Sequence, residues 1–146
     1  MADLFSIAEK ISNINPTQLL QKVLSRDDIQ KLMIRLNTEN QLEELNENAF
    51  GIKLASIGGN YSPSYAASKG VPVSSIDLKD TGQYYRTFKI VPLSNGNAEI
   101  ISDNTIYGAD TSLASERWGE VEGLNQQNTL IVLKAIDEVV LESLLQ

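Results

Sequence analysis

Ile76-Asp77-Leu78-Lys79-Asp80-Thr81-Gly82-Gln83-Tyr84-Tyr85-Arg86-Thr87-Phe88-Lys89-Ile90 is the stretch around which the rest of the chain reads. Its first half is turn chemistry. Asp80 or Thr81 can cap a short helical turn, because a side-chain oxygen there can accept from a free N–H just downstream. Gly82 permits a bend that a Cβ would resist. From Tyr85 to Leu93 the residues become β-branched and aromatic, with Phe88 and Ile90 on one face and Thr87, Lys89 and Val91 on the other. That alternation predicts a half-buried strand. Ser94-Asn95-Gly96-Asn97 follows with a hairpin signal, and Ala98 to Ser102 is the returning strand. Pro92 cannot donate to a ladder, which places its strand at a sheet edge or a bulge.

Upstream, the pattern is helical. Leu4, Ile7, Ala8 and Ile11 share one face of a short helix that Asn13-Ile14-Asn15-Pro16 ends, so residues 1–15 read as an N-terminal arm. Such a short helix needs a surface to pack on, either its own domain or a neighbouring subunit. Residues 16–146 read as a single domain. Asn15 as cap and Pro16 at the first position open a helix with Leu19, Leu20, Val23 and Leu24 inward. Ser25-Arg26-Asp27-Asp28 resembles a capping box where a new helix or a kink starts. Ile29, Leu32, Met33 and Leu36 continue at helical spacing. The pattern fades over Asn37 to Gln41 and resumes at Leu42 and Leu45 in a shifted phase, which predicts helix to about Glu47 with its later turns partly exposed.

Gly51 to Asn60 reads as a loop or irregular hairpin. Ser62, Pro63 and Gly70 bracket a helix of about two turns. Val71-Pro72-Val73 is expected to be extended. Asn104 to Trp118 is expected to be helical in its later part, ended by Gly119 in a left-handed cap. Asn125 caps a final helix, Gln126 to Gln146. There Val132, Leu133, Ile136, Val139, Val140 and Leu144 are expected to form one broad apolar face, with Leu130, Leu141 and Leu145 on its flank. A helix apolar over that much of its circumference is buried twice, within one core or between a core and a partner. The expected class is α+β: a helical N-terminal half and a C-terminal helix packed on a small antiparallel sheet with a hairpin near 85–102.

The chain has 146 residues, enough for one domain with a real core. Its net charge is −7, with no histidine and no cysteine. An acidic chain without a basic patch is a poor binder of nucleic acid or anionic membrane, yet can line a passage for DNA without holding it. Without cysteine there is no disulfide, thiolate nucleophile or cysteine-based zinc site. No apolar run approaches the roughly 20 residues a bilayer requires, and the acidic start is not that of a secretion signal.

Chemical motifs are weak. Tyr65-x-x-x-Lys69 fits the pair that short-chain dehydrogenases use to protonate a carbonyl, but no glycine-rich turn follows a strand as a nucleotide domain requires. A surface helix with one aromatic contact is the simpler reading. Lys79-Asp80-Thr81-Gly82 shares residues with the phosphorylated-aspartate motif of cation pumps, in another order and without a membrane domain. Glu43, Glu44 and Glu47 lack calcium-ligand spacing and read as a solvated face. No catalytic, cofactor or metal residue is assigned. Trp118, beside Glu116 and Arg117, is a candidate hot spot for contact or a core edge.

The ordered set Gly51-Ile52-Lys53-Leu54, Tyr61-Ser62-Pro63, Lys69-Gly70 and Leu78-Lys79-Asp80-Thr81-Gly82-Gln83-Tyr84-Tyr85-Arg86-Thr87-Phe88, then Trp118-Gly119 and Gly123-Leu124-Asn125 before a last helix, carries a resemblance. It resembles the head–tail joining and tail-completion (virion morphogenesis) proteins of tailed bacteriophages, in particular minor structural proteins of phages infecting Bacteroides and their relatives. The resemblance covers roughly Leu42 to the end. It implies a non-enzymatic ring of six or twelve subunits at the portal–tail junction, in the neck of the virion and assembled in the host cytoplasm. Its partners would be further copies, the portal and other neck or tail proteins, with DNA passing through unbound and no membrane. A ring needs two different patches per subunit. Candidates for subunit contact are Leu4, Phe5, Ile7 and Ile11 on the arm, Tyr84, Tyr85 and Arg86 in the central stretch, Trp118, and Leu130, Leu141 and Leu145 on the last helix. A soluble adaptor or regulatory binding module is the alternative; light scattering separates a monomer or dimer from a ring.

Overall fold

The computed structural model describes residues 3–103 and 114–146. Three helices open the chain: α1 (Leu4–Ser12), α2 (Pro16–Leu24) and α3 (Asp27–Arg35). Asp3 caps α1 by accepting from the Ser6 N–H at 2.8 Å, and Asn15 caps α2 by accepting from Gln18 at 3.1 Å. The break after α2 falls at the proposed box, but Ser25 does not cap α3. Its hydroxyl donates back to the Gln21 carbonyl at 2.6 Å, while the Asp28 carboxylate accepts from Ile29 at 2.9 Å.

Residues Leu36–Glu44 continue α3 as a π-helical segment, closing for example Leu45 N–H to Asn40 O at 2.9 Å. An i→i+5 ladder takes more residues per turn than an α-helix, so it rotates the following side chains relative to the preceding ones. This accounts for the shifted phase of Leu42. The later turns are partly exposed as expected, with Glu39 and Glu44 in solvent, while Asn37, Thr38, Gln41 and Leu42 on the other side are buried.

The middle of the chain is short elements. Glu47 and Lys53 form an isolated antiparallel bridge, and α4 (Leu54–Gly58) follows inside the stretch expected to be loop. Helix α5 (Pro63–Lys69) has the expected ends, with Ser62 accepting from Tyr65 and Gly70 left-handed at φ +75°. Val73 lies in a turn rather than in an extended run. Gly82, at φ +84°, opens α6 (Gln83–Arg86), and Thr81 accepts from Gln83 at 3.2 Å. Tyr85 and Arg86 are therefore helical, and the strand starts later than their β propensity suggests.

The hairpin is β1 (Lys89–Pro92) and β2 (Ala98–Ile101), antiparallel, pairing Lys89 with Ile101 and Pro92 with Ala98. Leu93 and Asn97 extend the pairing beyond the two strands and leave a three-residue loop, Ser94 to Gly96. Gly96 donates to Leu93 at 3.2 Å, and Leu93 donates to Asn97 at 2.7 Å. A type I turn followed by a left-handed glycine is the usual solution for that length. Phe88 and Ile90 point inward as the alternation requires.

Helix α7 (Ala114–Trp118) ends on Gly119 at φ +78°, and residues 104–113 of the predicted helical stretch lie outside the described residues. Asn125 caps α8 (Gln126–Leu145), accepting from Asn128 at 2.9 Å. The described residues thus form an α+β fold, mostly helix with one two-stranded sheet.

Two clusters make the core. One gathers Leu42, Leu54, Ile76, Leu78, Tyr84, Phe88, Ala114, Trp118 and Val121; the other gathers Val23, Leu24, Ile29, Met33, Ile90, Val132 and Ile136. Ile34 and Ile100 pack against both and join them.

Candidate functional site

Helix α1 lies against the end of α8 in the same chain. The Lys10 ammonium donates to the Gln146 carbonyl, and Ser6, Lys10, Ile14, Ser143 and Leu144 line a cleft of about 420 Å³ between them. The arm is rotated, however. Ile7 and Ile14 are half-buried, whereas Leu4 is 83% exposed, Phe5 89% and Ile11 54%. Of the expected stripe, Leu4, Ala8 and Ile11 therefore face out and Ile7 turns partly inward.

On α8, Leu130, Leu141 and Leu145 are 58%, 57% and 52% exposed, and Leu133 joins them at 50%. The expectation that Leu133 belongs to the inner face is corrected. The inner face is Asn128, Val132 and Ile136, with Ala135, Val139 and Val140 half-buried beside it. Leu144 is only half-buried. At 100° per residue Leu130, Leu141 and Leu145 lie on the side of the helix away from the inner residues, and Leu133 lies between the two sides, 60° from Ile136.

The remaining predicted residues are placed differently. Tyr84 and Trp118 are core residues, not surface ones. The Tyr84 hydroxyl lies 3.0 Å from Ser102 Oγ, which in turn donates to Glu122. Burial pushes the Tyr84 phenol up to about 12, opposed by the Ser102 bond and aided by the Glu122 charge. Tyr85 is half-buried, its hydroxyl donating to the Asp77 carbonyl, and burial raises its pKa strongly. Arg86 alone of the three is exposed.

Around Tyr85 the central stretch forms a closed polar knot. Asp77 Oδ1 accepts from the Tyr61 hydroxyl at 3.0 Å, from the Lys79 N–H at 3.0 Å and from the Lys69 ammonium. Lys69 also donates to the Lys79 carbonyl, and Lys79 pairs with Glu43 at 2.8 Å. Burial lowers the Lys69 pKa, but its Asp77 bond and the nearby phenols outweigh that and leave it raised. Between these residues Leu78 is buried at φ +59°. Such a conformation costs about 1–3 kcal/mol, and the surrounding bonds together with burial of the Leu78 side chain offset it. Lys69 of the Tyr-x-x-x-Lys pair is thus engaged with Asp77 and the Lys79 carbonyl.

A second polar arrangement was not read from the sequence. Asn37 donates to the Val121 carbonyl at 2.9 Å and accepts from Gly123 N–H at 2.7 Å. Gln41 repeats this one step on, donating to the Gly123 carbonyl at 2.7 Å and accepting from Asn125 N–H at 2.7 Å. The two amides act as successive rungs of a ladder along Val121 to Asn125, satisfying backbone groups that have no strand beside them. Asn128 then donates to Leu36 O and Asn40 Oδ1, both at 3.1 Å, and Asn48 donates to Trp118 O at 3.2 Å. The signal in the sequence was the run of amides at 37, 40 and 41 facing another at 125 and 128, with nothing local to show that they meet.

Trp118 packs edge-on to Gly58, where a Cβ would come within 2.5 Å of its ring, and stacks under Arg117 at 4.6 Å. Asn60, Tyr61, Ser62, Tyr65, Arg117 and Trp118 line an open cleft of about 370 Å³. Among the described residues no group of three or more Asp or Glu is placed to hold a metal ion, and no helix is long and apolar enough to cross a membrane. The surfaces left as candidates for contact are the outward faces of α1 and α8, and Phe50, Ile52 and Ile57 are also exposed. No protein-family model, curated protein or solved structure matches this chain.

Proposed function

We propose that this chain is a non-enzymatic structural part of a tailed-phage virion, a ring-forming subunit at the portal–tail junction that joins head to tail around the DNA passage. The observation that carries the reading is the outward row of leucines on α8, together with Leu4, Phe5 and Ile11 on α1. Apolar residues grouped on helix faces away from the core favour contact with other subunits over isolation in water. The net charge of −7 suits a channel wall past which a polyanion slides without sticking. The order of motifs from Gly51 to Asn125 supplies the phage assignment by resemblance.

The test is mass spectrometry of purified particles, followed by imaging of the neck. Enrichment in virions, with density for a six- or twelve-fold ring, is the expected result. A chain that is lost on particle purification and forms no ring, alone or with portal protein, overturns the proposal.

A further inference from the structure

We infer that α8 pairs with α8 of a second copy, antiparallel and about a two-fold axis between Ala135 and Ile136. The inference rests on the reading of the outer α8 leucines as a subunit contact, and it names what covers them. Leu130, Lys134, Asp137 and Leu141 recur at spacings of four, three and four along the outer side of the helix, and half-buried Leu144 continues the repeat at the edge of the α1 cleft. That is the repeat of a coiled-coil seam. Leu133 and Leu145 flank it, and Leu130, Lys134, Asp137 and Leu141 are all exposed.

The two charges in the middle of the seam decide the partner and the direction. In an antiparallel pair centred between residues 135 and 136, position 130 meets 141 of the other copy and 134 meets 137. Leucine then faces leucine at both ends, and Lys134 faces Asp137 twice at the centre. A parallel pair would set Lys134 against Lys134 and Asp137 against Asp137, two like-charge contacts in a partly desolvated seam. The helix is thus complementary to its own reversed copy, as an isologous contact requires. Neither Lys134 nor Asp137 has an ion-pair partner among the described residues. Charges at seam positions weaken a helix pair but fix its register. Within a ring this contact would join two rings face to face, with ring closure left to other patches such as α1.

Charge reversal and cross-linking of the full chain test the pairing. Wild type should be dimeric by light scattering at micromolar concentration. Lys134→Glu and Asp137→Lys, each folded by circular dichroism, should weaken association at least tenfold. The double variant should recover it, and an equimolar mixture of the two single variants should form heterodimers. The natural chain has no cysteine, so Leu130→Cys and Leu141→Cys can be mixed under mild oxidation. They should cross-link to each other far faster than Leu130→Cys to itself, whose two copies would lie about 16 Å apart along the helix. Self-linking of Leu130→Cys, insensitivity to charge reversal, or a wild type that stays monomeric at high concentration each overturns the pairing. A monomer that joins a ring only with portal protein sinks this inference and leaves the neck reading standing. A dimer absent from virions does the reverse.

Discussion

Helix α8 has two apolar faces with opposite fates. Val132 and Ile136 are buried, while Leu130, Leu133 and Leu141 stand in solvent, although leucine is no less hydrophobic than valine. What separates them is polar. Asn125 caps the helix and is held by Gln41, and Asn128 bonds to the π-helical segment through its amide. Those bonds fix the rotation of the helix about its axis, and the side that carries Asn128 goes inward. A buried polar group left without its partner costs about 1–3 kcal/mol, as much as leaving a leucine exposed, and turning the helix would break several such bonds at once. The face with fewer large side chains is buried because it carries the anchor.

Three substitutions test this contrast. Gln41→Ala should have the largest effect, since it leaves the Gly123 carbonyl and the Asn125 N–H without partners at a cost of about 1–3 kcal/mol for each group. Urea denaturation should show the loss, and near-UV circular dichroism of Trp118 should report whether the loop below it shifts. A loss no greater than a surface substitution would remove the anchoring explanation. Ile136→Ala on the inner face should cost about 2–5 kcal/mol in the same measurement, as for other buried branched side chains cut to a methyl. Leu133→Ser on the outer face, measured where the chain is monomeric, should change stability by less than about 0.5 kcal/mol. If the last two costs prove alike, the outer leucines are sealed within the monomer and no contact with another subunit is needed.

Much of the fold is legible one segment at a time. Asn15-Pro16, Ser62-Pro63 with Gly70, and Asn125 mark helix ends where the bonds are found, because a cap acts within one turn of its own residue. The hairpin at Ser94-Asn95-Gly96 is legible for the same reason. The strand leading into it is read too early, because Gly82 and Thr81 begin a helical turn that takes up Tyr84 and Tyr85 despite their β propensity. Of the proposed contact residues, Leu4, Phe5, Ile11, Leu130, Leu141 and Leu145 are outward, while Tyr84 and Trp118 serve the core. An aromatic residue beside an arginine looks the same in sequence whether it lies on a surface or under one.

By itself the sequence determined the elements whose bonds close locally: the caps, the turns, the hairpin, and the amphipathic pattern of α2 and α3. The tertiary structure decided the π winding of Leu36–Glu44, the ladder that Asn37 and Gln41 form along Val121 to Asn125, and which side of α8 is hidden. The ladder and the choice of α8 face depend on partners more than 80 residues apart in the chain. A side-chain amide carries no sign of which distant backbone group it will satisfy, so only folding brings the two together.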